Sequence, residues 1–363
     1  MHMHVFYCII NLEGDYMTVE EILRKLVSFN TIKDKQNSDI NKYIKEYLEE
    51  YGFTFEEIGS EKKVLIARTN KEPKFCFFGH TDTVLKDKDN PFKLKEKDGN
   101  LYGLGACDMK GGIAAMLKAI SETDFNKLSY GMMLVFTYDE ETDFGGIKEF
   151  VKSNIKYPEY LLLGEPTDNI PTNGSKGVLE YHFDFYGKKA HSSRIEDSSN
   201  INCVNFFSEL LKLEEYFKNY ECDDYEFKHT TMNIGIIKGG DSVNIVSDHT
   251  YATCDFRLIT KEEHDYVKEY VDKVSKKYNM DYKINLDFLP FDNNSDIVDI
   301  YEKITKNKRK KFFGLTEASI LEGNRIILGP GPVTAHQDDE HVSKKSLNEC
   351  VEIYKEIINY ICK

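Results

Sequence analysis

Five residues with donor atoms that metal ions prefer are spread along this chain, namely His80, Asp108, Glu141, Glu165 and His336. Short apolar runs precede His80, Glu141 and Glu165, and each run has the length and composition of a buried strand. Asp108 stands instead in a glycine-rich turn ahead of an apolar helix, where backbone N–H groups and the helix dipole can orient a carboxylate. Imidazole together with carboxylate suits borderline divalent ions, zinc first. These residue types therefore predict a metal centre.

The number of candidate ligands indicates two metal ions. Five ligands exceed what one tetrahedral zinc needs, and two ions about 3.5–4 Å apart, bridged by one carboxylate, would use them all. We assign the bridge to Asp108 and predict that Asp82, two residues after His80, fixes the imidazole of His80. Glu140 adjoins a ligand without being needed as one, so it is the natural general base for a hydrolysis. Ligand type does not separate zinc from cobalt or manganese, and a purely structural reading of each turn stays open on these residues alone.

The elements that must position these residues form an α/β pattern. Open α/β sheets place their chemistry at the C-terminal ends of strands, which is where three of the candidate ligands fall. Capping boxes predict helices at 18–29 and 260–278, Ser343 caps a final amphipathic helix, and a further helix is predicted over about 202–220. Residues 178–186 alternate strictly between apolar and polar, and they begin a β-α-β-β-α-β order typical of a ferredoxin-like unit.

This change of pattern predicts the domain organisation. We expect an N-terminal extension at 1–16, one α/β domain made of 17–172 and 291–363, and an inserted domain at 173–290. The α/β pattern resumes after Pro290, which is why the ferredoxin-like unit is taken as an insertion.

Composition narrows the possible partners. The 363 residues include 62 acidic and 48 basic side chains, and the net charge of −14 argues against nucleic acid and is compatible with a cationic or zwitterionic substrate. We find no apolar run near the roughly 20 residues of a membrane helix, so we expect no membrane partner. The eight cysteines are scattered without a CxxC motif, which favours reduced thiols in a cytoplasmic protein.

Six motifs in order resemble those of the di-zinc amidohydrolase and carboxypeptidase family. They are GHTDTV (79–84), GLGACDMKGG (103–112), TYDEET (137–142), GEPT (164–167), GKKAHSS (187–193) and AHQDDE (335–340). The family includes acetylornithine deacetylases, succinyl-diaminopimelate desuccinylases, aminoacylases and some peptidases. The resemblance implies a zinc-peptidase-like α/β catalytic domain with an inserted ferredoxin-like domain that acts as lid and dimerisation domain, and hence a homodimer. It also implies the metal ligands, the bridge and the catalytic base assigned above.

The same resemblance implies residues that contact the substrate. His191 matches a histidine that helps to hold the scissile carbonyl oxygen, often from the partner subunit, which is an oxyanion-type role. Arg257 matches a substrate-contacting position, where a guanidinium could grip a carboxylate in two hydrogen bonds. A salt bridge at a strand edge is the equal alternative for Arg257. The remaining candidates for substrate contact are Asn244, Lys176, Gly329 and Gly331.

The late segment 316–340 bears on the substrate. Its TEA (316–318) and its GPG followed by AHQ resemble acetylornithine deacetylases more than desuccinylases. The leading hypothesis is therefore hydrolysis of an N-acyl amino acid, acetylornithine or a close analogue, in arginine biosynthesis. A succinyl-diaminopimelate desuccinylase, and a dipeptidase or aminoacylase acting on short peptides or other acyl amino acids, are the alternatives within the family. A non-catalytic metal-dependent binding protein is the alternative of another class, and it would predict loss of the base or of a ligand.

Overall fold

A computed structural model describes residues 17–32, 37–84, 92–225, 227–312 and 314–363. The chain divides into two compact units. The first unit comprises Met1–Asn173, Asn293–Lys310 and Thr316–Lys363, and the second comprises Gly174–Asp292 and Lys311–Leu315. The return of 311–315 to the second unit was not predicted, and the predicted extension at 1–16 lies outside the described residues.

Helices and strands are interspersed along the described ranges. The helices are α1 (Val19–Val27), α2 (Ser38–Glu49), α3 (Lys110–Ser121), α4 (Gly145–Lys152), α5 (Ser199–Leu210), α6 (Leu213–Phe217), α7 (Lys261–Ser275), α8 (Ile297–Thr305) and α9 (Lys344–Cys362), with short 3₁₀ turns at Phe125–Lys127 and Glu317–Ser319. The strands are β1 (Thr54–Ile58), β2 (Val64–Arg68), β3 (Pro73–His80), β4 (Lys95–Lys97), β5 (Asn100–Tyr102), β6 (Gly131–Thr137), β7 (Tyr160–Leu163), β8 (Thr172–Ser175), β9 (Gly177–Tyr186), β10 (Ala190–His191), β11 (Thr231–Gly239), β12 (Ile245–Val246), β13 (His249–Leu258), β14 (Met280–Phe288), β15 (Phe291–Asp292), β16 (Lys310–Phe312), β17 (Asn324–Ile327) and β18 (His341–Ser343).

Local sequence explains where several helices begin. Both predicted capping boxes are present, at Thr18 before α1 and at Thr260 before α7, and Ser343 caps α9 as predicted. The single helix predicted over about 202–220 is instead broken into α5 and α6. At the break the N–H of Lys212 bonds to the carbonyl of Glu209, three residues back, which tightens the last turn of α5.

The first unit is built on a sheet whose centre is parallel. Strands β6, β3, β7 and β17 lie side by side in that order and run in one direction. Beyond β6, strand β2 pairs antiparallel with β6, and β1 pairs antiparallel with β2. Helices cover both faces, because Phe77 packs against Tyr354 of α9 while its neighbour Phe78 packs against Phe150 of α4. The C-terminal ends of the parallel strands consequently meet at one edge of the sheet.

The second unit has the ferredoxin-like order that the sequence predicts. Its antiparallel sheet runs β11-β13-β9-β14, with α5 and α7 connecting the strands. The apolar side chains of β9, such as Tyr181 and Phe183, are buried in a core with residues of both helices, whereas the polar residues that alternate with them in β9 are half-buried. None of the helices in the described ranges is long and apolar enough to cross a bilayer.

Candidate active site

The edge where the parallel strands end carries most of the predicted site. His80 is the last residue of β3, Glu140 and Glu141 follow β6, and Glu165 follows β7. Asp108 precedes α3, in a turn whose Asp108–Met109 peptide bond is cis. Tertiary structure therefore brings together residues that lie far apart in the chain.

The ligand candidates form two sets that share one carboxylate. The first, the His80 half-site, places Nε2 of His80 3.1 Å from Oδ1 of Asp108 and 3.7 Å from Oε1 of Glu165. The second, the His336 half-site, places Nε2 of His336 3.0 Å from Oε2 of Glu141 and 3.5 Å from Oδ2 of Asp108. The two oxygens of Asp108 thus face different histidines, which is the arrangement that a bridging ligand needs.

Asp82 lies against His80 and also against the glutamate pair Glu140 and Glu141. Its backbone carbonyl lies 3.1 Å from Nδ1 of His80 and is the nearer acceptor, since its carboxylate is 3.5 Å away. Because a carbonyl can only accept, Nδ1 carries the proton and Nε2 of a neutral His80 keeps a free lone pair. The carboxylate of Asp82 accepts the backbone N–H groups of Glu140 at 3.3 Å and Glu141 at 3.1 Å. One residue thereby fixes both the imidazole and the backbone of the glutamate pair.

The site has more carboxyl groups than side chains that can carry a positive charge. Burial, and after it the negative charge of Asp108, raise the pKa of Glu165 to about 7. Burial also raises the pKa of Glu140 well above its ordinary value, with Glu165 and Asp108 adding to the effect against the opposing influence of His80. Burial lowers the pKa of His80, but Glu165, Asp108 and Asp82 outweigh it, so this pKa is raised well above its usual range. Such a cluster is electrostatically suited to divalent cations.

His336 differs from the other ligand candidates in being exposed. Its side chain is 57% exposed, and its backbone has a φ of +62°, in the left-handed region that non-glycine residues rarely adopt. The hydrogen bond to Glu141 raises the pKa of His336 to about 9. The surrounding loop must hold this residue in place, because its own ring is not packed in the core.

Gly329 and Gly331, two of the predicted substrate contacts, donate their N–H groups to side chains of the protein itself. The N–H of Gly329 donates to Oγ1 of Thr167 at 3.2 Å, and the N–H of Gly331 donates to Oγ of Ser346 at 2.8 Å. Both N–H groups are therefore used within the protein, and the assignment of Gly329 and Gly331 as substrate contacts stays a prediction.

Two predicted cationic contacts of the second unit are also used internally. Nζ of Lys176, a buried residue, donates to the carbonyl oxygens of Phe227 at 2.8 Å and His229 at 2.6 Å, and its assignment to the substrate stays a prediction. Arg257 donates from Nε and Nη2 to the carboxylate of Asp255, at 2.7 and 3.0 Å. For Arg257 the salt-bridge alternative is therefore the one the structure contains.

The other two candidates in the second unit are exposed. Asn244 is exposed, and its Oδ1 accepts the hydroxyl of Ser242 at 2.7 Å. His191 is exposed, and its Nδ1 accepts the backbone N–H of Ser193 at 3.2 Å. Because Nδ1 acts as an acceptor, the proton of a neutral His191 lies on Nε2, which leaves this nitrogen as a donor.

Sequence reasoning missed two buried carboxyl groups beside the site, Glu317 and Glu340. Glu317 lies in the TEA segment, and burial raises its pKa to about 8. Glu340 follows His336 by four residues and accepts backbone N–H groups of the Asp108 turn. A glutamate four residues after a ligand, in a motif already singled out, was the signal that could have pointed to Glu340.

With this geometry in place, comparison with known proteins identifies the family. Residues 76–360 match the model of the peptidase family M20/M25/M40, so the chain belongs to this family and is a hydrolase. An acetylornithine deacetylase from Photorhabdus laumondii is 28% identical over 380 aligned residues, covering 94% of this chain and 97% of the relative. An acetylornithine deacetylase from Buchnera aphidicola is 30% identical over 305 residues, covering 78% of this chain and 80% of the relative.

A solved structure supports the fold. The crystal structure of a tripeptidase from Staphylococcus aureus superposes with a TM-score of 0.79 at 21% identity, and the match covers 98% of this chain and 99% of that one. At this identity the likeness concerns the fold alone. The predicted architecture, an α/β catalytic domain with an inserted domain, is confirmed.

Proposed function

We propose that this protein hydrolyses the amide bond of an N-acetylated amino acid, with acetylornithine as the leading substrate, and releases the free amino acid and acetate. The observation that carries the proposal is the placement of Asp108 between two histidines, beside Glu140, whose side chain is 10% exposed. The names of the relatives at 28% and 30% identity, together with the TEA and AHQ segments, support this substrate over others of the family.

The residues present fit two divalent metal ions. With Nδ1 bonded to a carbonyl, a neutral His80 would offer the lone pair of Nε2 to a metal ion, and Asp108 faces both histidines. Five carboxyl groups stand against the two imidazoles, namely those of Asp82, Asp108, Glu140, Glu141 and Glu165. His80, Asp108 and Glu165 would hold one ion, and His336, Asp108 and Glu141 the other. When bound, such ions polarise an acyl carbonyl and make a water molecule easier to deprotonate. Zinc suits this donor set first, with cobalt and manganese as alternatives.

Glu140 is the residue we assign to proton transfer. Its Oε2 lies 4.0 Å from Nε2 of His80, near the ligands but outside both half-sites. It takes a proton from the attacking water and passes it to the leaving nitrogen, and the pKa raised by burial allows it to keep that proton between the two steps. Asp82 supports this role because it anchors the backbone N–H of Glu140.

We assign the stabilisation of the carbonyl oxygen to His191. Its Nδ1 accepts from Ser193, so Nε2–H is the group that can donate to the negative charge that develops on the oxygen. Asn244 is the other exposed side chain retained as a substrate contact. We also propose that the second unit forms a homodimer and acts as a lid. His191 would then serve either the site of its own chain or the site of the partner.

Two further points complete the proposal. A non-catalytic binding role is disfavoured because Glu140 and every ligand candidate are present. We propose a cytoplasmic location, which the seven free cysteines of the described residues support.

The proposal is tested with a substrate panel. Chelator-treated protein is reloaded with zinc, cobalt or manganese and assayed for release of free amine from acetylornithine, succinyl-diaminopimelate, acetylmethionine and alanylalanine. We expect kcat/KM for acetylornithine to exceed that for each other compound at least tenfold, and chelation to abolish it. Preference for the succinyl compound or the dipeptide would overturn the assigned substrate, and inactivity on all four with metal bound would overturn the assigned activity.

A further inference from the structure

Glu340 fills a nest of backbone N–H groups in the turn that carries Asp108. The side chain is buried, and its Oε1 accepts the N–H of Cys107 at 3.2 Å and that of Asp108 at 3.3 Å. The N–H of Gly105 also bonds to this carboxylate, and Gly105 has a φ of +75° that turns the chain around it. Successive N–H groups that converge in this way form an anion site, which a side chain of the protein itself occupies.

The same segment is bonded to the turn at further points. The carbonyl of Glu340 accepts the N–H of Gly103 at 3.2 Å. Sγ of Cys107 accepts the N–H of Thr334 at 3.3 Å, and the thiol donates to the carbonyl of Pro332 at 3.4 Å. The loop on which His336 lies is therefore attached to the Asp108 turn on both sides of His336.

His336 depends on this attachment for its position. Its ring is 57% exposed and its backbone is in the left-handed region, a conformation that persists only when surrounding contacts impose it. Glu340 is the carboxylate that joins the loop of His336 to the backbone of Asp108, and these two residues belong to one half-site. Because its Oε1 is committed to N–H groups, Glu340 acts through Asp108 and His336 and not as a ligand of its own.

We propose that Glu340 is a positioning residue that sets the distance between Asp108 and His336, and thereby the affinity of the His336 half-site for its metal ion. This inference rests on the two-metal site of the proposed function. Removal of groups that orient metal ligands typically weakens metal binding 10–100-fold. The His80 half-site is less affected, because His80 and Glu165 stand at strand ends in the sheet and do not depend on the loop.

The test is a metal titration of the full chain without substrate. Metal-free wild type and the variants Glu340→Ala, Glu340→Asp and Glu340→Gln are titrated with Co²⁺ or Zn²⁺ against a competing chelator. We expect two equivalents for wild type, and a second equivalent weakened 10–100-fold in Glu340→Ala and Glu340→Asp with the first changed less than about threefold. Glu340→Gln should retain both, since its amide oxygen can accept the same N–H groups. Asp339→Asn is the matched control, an exposed acid one residue away, and should match wild type.

The outcomes separate the two proposals. Wild-type affinity for both equivalents in Glu340→Ala, or equal weakening of both, would overturn the positioning role, as would a loss in Glu340→Gln as large as in Glu340→Ala. Circular dichroism of each variant shows whether it is folded. A wild type that binds two equivalents without hydrolysing acetylornithine overturns the substrate alone, whereas a wild type that binds fewer than two overturns both proposals.

Discussion

The adjacent residues Glu140 and Glu141 offer a direct separation of chemistry from metal binding. Both follow β6, and Asp82 anchors both of their backbone N–H groups. Only Glu141 contacts a histidine of a half-site at hydrogen-bond distance, 3.0 Å from Nε2 of His336. We therefore predict that Glu140→Gln loses turnover and keeps both metal ions, whereas Glu141→Gln loses the ion of the His336 half-site.

The expected size of the first effect comes from the role of a general base. Proton transfer by a positioned side chain is worth roughly 10²–10⁴ in rate, which corresponds to about 2.7–5.4 kcal/mol of activation free energy. The amide of Glu140→Gln keeps the shape of the side chain but cannot take up a proton. The carboxylate lies 4.0 Å from Nε2 of His80 and outside both half-sites, so its loss leaves the distances between the ligands unchanged. We expect kcat to fall within this range with KM altered less than about threefold.

The assay combines steady-state kinetics with metal analysis of the same protein samples. Metal per chain is measured by mass spectrometry after dialysis at a fixed free-zinc concentration. Glu141→Gln serves as the paired comparison, one residue away with the same change of charge. Turnover of Glu140→Gln within tenfold of wild type, or loss of metal from Glu140→Gln equal to that from Glu141→Gln, would refute the assignment of the two roles.

Two further predictions concern stability. A Cβ on Gly112 of α3 would stand 2.0 Å from the carbonyl oxygen of Gly164, so Gly112→Ala should lower the free energy of unfolding by about 1–3 kcal/mol in urea denaturation. A Cβ on the control residue Gly235 would stand 3.1 Å from the hydroxyl of Thr253 and 3.8 Å from the side-chain nitrogen of Asn233, so Gly235→Ala should change the free energy of unfolding by less than ~1 kcal/mol. Equal losses in the two variants would contradict the packing argument. Burial raises the pKa of Glu317 to about 8, so the folded metal-free chain holds a proton that the unfolded chain releases near its ordinary value of 4.5. This contribution to stability is complete below about pH 4.5 and is lost as the pH rises through 8. The unfolding midpoint of Glu317→Gln should therefore rise relative to that of the wild type over this range. Profiles of unfolding midpoint against pH that run parallel for the two proteins would contradict the raised pKa of Glu317.

Local features of the sequence were sufficient for much of the fold. Thr18, Thr260 and Ser343 begin their helices as predicted, because an N-cap bonds to backbone groups within three residues and needs no distant partner. The alternation along β9 shows which face is buried, because successive side chains of a strand point to opposite sides. The break between α5 and α6 was missed, since it depends on the geometry of one turn and not on periodicity.

The sequence by itself also determined which residues could hold metal. Short apolar strands that run parallel must end at one edge of a sheet, so the polar residues that follow them converge whatever the details of packing. This is why the strand pattern points to His80, to the pair Glu140 and Glu141, and to Glu165 as candidates, although it does not separate the two members of the pair. His336 comes from near the end of the chain, and its position beside Asp108 and Glu141 agrees with its place in the AHQDDE motif.

Only the tertiary structure decided what each polar group bonds to. The carboxylate of Asp82 anchors the glutamate pair, the N–H groups of the glycine turn are taken by Thr167 and Ser346, and Arg257 pairs with a neighbouring acid. Glu340 reaches Cys107 from 233 residues away. Residue type states what a side chain can donate or accept, but a hydrogen bond requires its partner within about 3 Å, and over such separations that distance is set by the packing of the whole fold.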